Sequence, residues 1–187
     1  MKVTIICFVV FILGGLCACE TAKPVADGYV GPTAILRDST TAVVGGQCGD
    51  FFFLNSYEGK SIDNLYVASI RVNEGSGSVF VRMPKIFRSI PIQTLHLEIL
   101  GRTHCAAPIM EMTGKTHILY GVLEFAAQPN GDYVITGELS EDHCAVWIAD
   151  VKTGAQVSAK LLVNGPARQG AFGQTGKVET IPPPVRQ

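Results

Sequence analysis

The sequence predicts an all-β domain, an antiparallel sandwich of about seven to nine short strands. Three observations carry that expectation. Short runs rich in Val, Ile, Phe, Tyr and Leu recur along the chain, separated by turn residues. Two of these runs alternate apolar and polar residues with period two. No stretch offers a 3.6-residue apolar repeat of helical length.

Taken in order, Tyr29 to Leu36 is the first predicted strand and Asp50 to Ser56, with its Phe-Phe-Phe-Leu run, a buried second. Tyr57-Glu58-Gly59-Lys60 has turn chemistry, since Gly59 tolerates a positive φ. Ile62 to Val72 reads as extended, and Glu74-Gly75-Ser76-Gly77 breaks it. Ser78 to Met83 and Ile90 to Leu100 follow. The latter sets Leu95, Leu97 and Ile99 on one face against Thr94, His96 and Glu98, the pattern of a half-buried strand. His117 to Ala127 and Asp132 to Leu139 flank Pro129-Asn130-Gly131, which predicts a hairpin turn. Cys144 to Ala149 is the next strand, and Gln156 to Val163 closes the domain after the Lys152-Thr153-Gly154 turn. Beyond Gly165 the chain is polar and rich in Gly and Pro, a composition expected to stay disordered.

The N-terminus has a different character. Lys2, an apolar run from Val3 to Leu16 and small residues before a break in composition are the parts of a secretory signal. The run is shorter than the roughly 20 apolar residues a bilayer span needs. Leu16-Cys17-Ala18-Cys19 resembles the lipobox of bacterial lipoproteins, which implies acylation of Cys19 and cleavage just before it. Cys17 is the competing acceptor, but Gly14-Gly15-Leu16 fits the box poorly. Glu20 resembles the outer-membrane sorting class, since aspartate there favours the inner membrane. The expected organisation is a signal peptide over 1–18, a lipidated tether over 19–28, a sandwich over 29–164 and a disordered tail over 165–187.

Charge is balanced, 15 basic against 16 acidic residues, with no long basic stretch, which excludes nucleic acid as an expected partner. The mean hydropathy of +0.28 is raised by the signal. Export would leave Cys48, Cys105 and Cys144 in an oxidising compartment, where three thiols allow one bridge.

The strand and turn segments together look familiar: Gly31-Pro32-Thr33-Ala34, the Phe-rich strand with its Glu-Gly-Lys turn, Leu95 to Ile99, Val122 to Ile135 and Ala145 to Gly154. Their order is similar to that of uncharacterised proteobacterial lipoproteins with a small immunoglobulin-like or transthyretin-like β-sandwich. The resemblance covers roughly Tyr29 to Val163 and implies a fold and an envelope setting. It brings no catalytic residue and no cofactor.

Two His-Cys dipeptides, His104-Cys105 and His143-Cys144, stand out. Neighbouring strand residues face opposite ways, so both thiols can point inward and both imidazoles outward. A Cys105–Cys144 disulfide is the economical pairing, with Cys48 the alternative partner. A two-His, two-thiolate metal site has the wrong spacing, so no metal is expected. No Gly-x-Ser-x-Gly elbow or comparable signature frames a nucleophile, and the expectation is a non-enzyme. Glu58, Asp63, Glu111, Glu138, Glu141 and Asp142 read as surface carboxylates. Arg82, Lys85 and Arg88 sit in a cationic loop with Ile86 and Phe87, and with His104 and His143 they form the candidate partner surface. Trp147 reads as a core residue between the sheets. The expected role is a binding or structural module for an envelope protein, anchored to the outer membrane through Cys19 and facing the periplasm. The alternative is a glycan or metal-ion binder using His104, His143 and Trp147.

Overall fold

The Phe51-Phe52-Phe53-Leu54 run cannot bury all four side chains on one face, and that constraint shapes the architecture. In the computed structural model, which describes residues 23–25, 27–113, 116–170, 173–174 and 176–184, two sheets pack face to face. The segment expected to be a signal, with Cys17, Cys19 and Glu20, lies outside the described residues.

The elements are β1 (Thr33–Arg37), β2 (Ser39–Thr40), β3 (Cys48–Tyr57), β4 (Lys60–Ser61), α1 (Leu65–Asn73), β5 (Phe87–Pro91), β6 (Thr94–Cys105) and α2 (Pro108–Thr113). They continue with β7 (Ile118–Ala126), β8 (Asp132–Leu139), β9 (His143–Asp150), β10 (Lys160–Asn164), β11 (Gln169–Gly170), β12 (Gly173–Gln174) and β13 (Glu179–Ile181). One sheet has the order β13-β10-β9-β8-β1-β5 and the other β2-β3-β6-β7. All-β is therefore right, but the pairing of β1 with β8 is parallel, so the six-stranded sheet is mixed.

Phe52 and Leu54 face inward with Leu36, Leu95, Leu97, Ile99, Leu119, Ile135, Val146 and Ile148, filling the space between the sheets. Phe51 and Phe53 point the other way and need a second cover. The chain supplies it with α1 and the loop carrying Phe80, which form an outer cluster with Ala42 and Leu65. This corrects the extended reading of Ile62 to Val72. Its Val and Ile residues favour a strand, yet Asn64 caps a helix, its Oδ1 accepting from Val67 N at 3.0 Å. The strand expected at Ser78 to Met83 is a loop, held by Asn73 Oδ1 accepting from Val81 N at 2.7 Å and Arg82 N at 2.9 Å.

Pro129-Asn130-Gly131 does turn the chain, with Asn130 at φ 57°, but β7 pairs with β6 and β8 with β1 and β9. The turn passes the chain between sheets and does not close a hairpin. Glu58-Gly59, at φ 47° and 73°, does close one, joining β3 to β4. Part of the tail lies among the described residues. Ala167 is fully buried, and β13 extends the six-stranded sheet along β10. The polar side chains of Glu179 and Thr180 concealed a pairing made by backbone groups.

Gly137 and Gly101 let the two sheets approach. A Cβ on Gly137 would sit 2.2 Å from the Ala145 carbonyl oxygen and 2.6 Å from the Phe52 ring. Gly137→Ala is therefore expected to cost about 1–3 kcal/mol, read by thermal unfolding. A loss below about 0.5 kcal/mol, the range of neutral surface changes, would contradict the close packing.

Candidate binding surface at the disulfide end

The two ends of the sandwich differ. Thr33 of β1 lies opposite Pro91 of β5, and only Ile92 and Gln93 separate Pro91 from the start of β6. The chain thus enters the domain at the Thr94 end of β6. The opposite end of that strand, about 36 Å away at 3.3 Å per residue, holds Cys105.

Cys105 is bonded to Cys48, which lies directly opposite it on β3. The Cys105–Cys144 pairing is therefore incorrect. β3 begins two residues before the predicted Asp50, which brings Cys48 into register with Cys105. Cys144 does point inward, as its alternation with Val146 and Ile148 implies, but from the other sheet. Its thiol donates to Ser140 O and accepts from Ala167 N, each at 3.4 Å.

His104 is not a free surface imidazole. It projects from the outer face of β6 among the rings of Phe51, Tyr66 and Phe80, with centroids 5.9, 5.0 and 5.8 Å away. Its Nδ1 is hydrogen-bonded to Glu111 of α2, so Glu111 is a partly buried anchor and not a solvated carboxylate. Arg102 lies with its guanidinium carbon 4.7 Å over the Tyr66 ring, a cation–π arrangement. Burial pushes the Tyr66 phenol above its ordinary value of 10.0; nearby Arg102 opposes the rise and Glu111 adds to it. The fold thus favours the neutral phenol. Its contribution to stability is complete below pH 10.0 and is lost as pH rises through the folded value. Burial raises Tyr57 as well, so ultraviolet titration should show late-ionising phenols of which Tyr66→Phe removes one; loss of an ordinary phenol instead would contradict the burial of Tyr66.

His143 and Trp147 occupy the other side of the molecule. His143 Nε2 bonds Glu138 Oε2 at 2.7 Å. Trp147 lies on the outer face of the six-stranded sheet, its ring 4.1 Å from Lys160 Nζ, and not between the sheets as expected. The structure does not bring His104, His143 and Trp147 onto one surface. Among the described residues no group of three or more His, Cys, Asp or Glu is placed to hold a metal ion.

The cationic loop also divides. Arg82 and Lys85 are exposed. The Arg88 side chain is largely covered, its two guanidinium nitrogens donating to Asp38 at 2.7 and 2.8 Å. It is a structural residue.

What the disulfide end does expose is apolar. Val43, Val44, Val81, Ile109 and Met112 all stand open to solvent, Met112 at 82%. Backbone bonds tie their segments together: Gly45 N to Phe80 O at 2.7 Å, Phe80 N to Gly46 O at 2.8 Å and Ala106 N to Gln47 O at 2.8 Å. Sequence reasoning missed this rim because its residues lie far apart in the chain. The one local signal was Val43-Val44 beside Gly45-Gly46, an apolar pair in a loop where polar residues are usual.

Fold and surface together define a two-sheet β-domain with a disulfide-clamped apolar rim. Comparison with protein-family models, curated proteins and solved structures finds no match to any of them.

Proposed function

We propose that this chain is an envelope lipoprotein, acylated on Cys19, whose sandwich holds a partner protein on the rim formed by Val43, Val44, Val81, Ile109 and Met112. We read the sandwich as a variant of the immunoglobulin-like or transthyretin-like type, working as a non-enzymatic module at the outer membrane and facing the periplasm. One observation carries the reading: the tether enters at one end of β6 and the exposed apolar rim lies at the other. An anchor at the first end presents the second away from the lipid. Exposed apolar side chains gathered in one place suit protein contact. The Cys48–Cys105 bond suits an oxidising compartment.

The test is site-specific photocrosslinking in intact envelopes, with the probe at Val44 or Met112 on the rim, or at Gln93 near the tether. The expected result is one shared adduct from the rim positions and none from Gln93. The same adducts from all three positions, or none from the rim, would remove the rim from the account.

A further inference from the structure

Among the described strands that end a sheet, β7 alone is left unguarded. β2, β4, β11 and β12 have two residues each, β5 stops at Pro91, and β13 runs into Pro182-Pro183-Pro184. Short length and proline both discourage pairing at an edge. β7 has nine residues, no proline and an unbroken register on β6.

Its outward backbone groups are unused over much of that length. Thr103 N donates to His117 O at 3.0 Å, so the odd-numbered residues turn their backbone groups toward β6. Ile118 N points the other way and donates to Ala167 O at 2.8 Å. By the same alternation Val122, Glu124 and Ala126 turn their N–H and C=O groups outward. None of the three bonds across this edge to a described residue.

The larger sheet overhangs the vacant position. Gly121 of β7 faces β10, since a Cβ on it would lie 3.0 Å from Leu161 Cδ1. β13 lies beyond β10, so no described strand of the smaller sheet stands opposite it. Thr180 pairs with Leu161 and therefore shares its inward face. Leu161 is buried, yet Thr180 is exposed. An inward residue open to water marks a slot beneath β13 and beside β7. Phe125, Ala126, Pro183 and Pro184 line a cleft at the slot's end nearest Thr94.

We infer that an extended segment of another protein adds to β7 in this slot, as a further strand of the smaller sheet. Main-chain bonds to Val122, Glu124 and Ala126 hold it, and alternate side chains give it specificity. Those turned in between the sheets, on the side of Phe125, are apolar. Those turned out meet Val122, 60% exposed, and Glu124, whose side chain is 73% exposed. His96 Nε2 approaches Glu124 from the β6 side at 3.5 Å. On the open side Glu124 makes no ion pair with a described residue, so the residue added beside it is cationic. A second copy of this chain does not fit: its β7 brings β10 opposite it, into the space that β13 occupies. The inference stands apart from the lipid anchor and the rim.

The experiment is amide hydrogen exchange by NMR on the mature chain carrying Cys19→Ser, alone and with the capped peptide Thr-Val-Lys-Val-Thr-Val-Thr. In the free chain the Val122 and Glu124 amides should exchange at least about a hundredfold faster than those of Leu123 and Phe125. The peptide should bind with a dissociation constant in about the millimolar range, slowing Val122 and Glu124 at saturation by at least about tenfold. N-methylation at its lysine removes a donor that faces β7 and should weaken binding at least about tenfold. N-methylation at a neighbouring valine, whose N–H points away, should not. Glu124→Lys should weaken this peptide and favour its counterpart with glutamate in place of lysine. Val122→Pro, tolerated where an edge N–H faces outward, should abolish binding with little change in thermal unfolding. Slow exchange of Val122 and Glu124 in the free chain would show the edge already closed and overturn the inference. So would equal losses from methylation at lysine and valine, or failure of both peptides to bind. A dimer of the chain that Val122→Pro dissolves would put a second copy at this edge and overturn it too.

Discussion

Asp38→Ala should destabilise the domain by about 3–5 kcal/mol, the usual consequence of stranding one member of a buried ion pair. The Asp38 side chain is 0% exposed and that of Arg88 9%. The same carboxylate accepts from Leu54 N at 3.2 Å and Leu65 N at 2.9 Å. One side chain thus links the end of β1, the middle of β3, the first turn of α1 and β5. Removing it leaves a buried guanidinium and two amides without their acceptor. Replacing both partners, as Asp38→Leu with Arg88→Met, should cost markedly less than Asp38→Ala alone, because no charge is left stranded. Urea unfolding of the three proteins measures this. A loss under about 1 kcal/mol for Asp38→Ala would show that water reaches the site and that the network is a surface feature.

Loss of the disulfide is the second large effect. Cys48 and Cys105 are 57 residues apart, and a loop of that length lowers the entropy of the unfolded chain by the equivalent of about 4 kcal/mol. The Cys48→Ala, Cys105→Ala double variant should lose stability of that order, with the loops at the disulfide end loosened most. Peptide mapping without reduction should recover a Cys48–Cys105 crosslink, while Cys144 resists alkylation until the chain is unfolded. A Cys105–Cys144 crosslink would overturn the register of β3 on β6.

These two predictions rest on features that were unequally legible in the sequence. The long strands were plain. Leu95, Leu97 and Ile99 alternate over half of β6, and β8 runs over the residues its pattern marks, Asp132 to Leu139. Such alternation is local, and a half-buried strand needs only its neighbours to declare it. α1 was hidden because Val67, Ile70 and Val72 have strand propensity, and what makes them helical is remote: two phenylalanines on the outer face of β3 that need a lid. β13 was hidden because an edge strand can be held by backbone bonds alone.

The candidate surfaces were less legible still, and for the same reason. His104 looked free because Glu111 lies on a short helix that the sequence does not announce. Arg88 looked like its neighbours Arg82 and Lys85, and only the fold brings Asp38 against it. The rim joins residues from three segments that become adjacent when Cys48 meets Cys105. A one-dimensional reading sees residue types and spacings; these features are juxtapositions.

The most direct test of the central claim is mass spectrometry of the N-terminal peptide from protein extracted from its native envelope. The expected result is a mature chain starting at Cys19, its sulfur carrying diacylglycerol. A chain recovered without lipid and starting at any other residue would contradict it, and with it the orientation that presents the apolar rim to a partner.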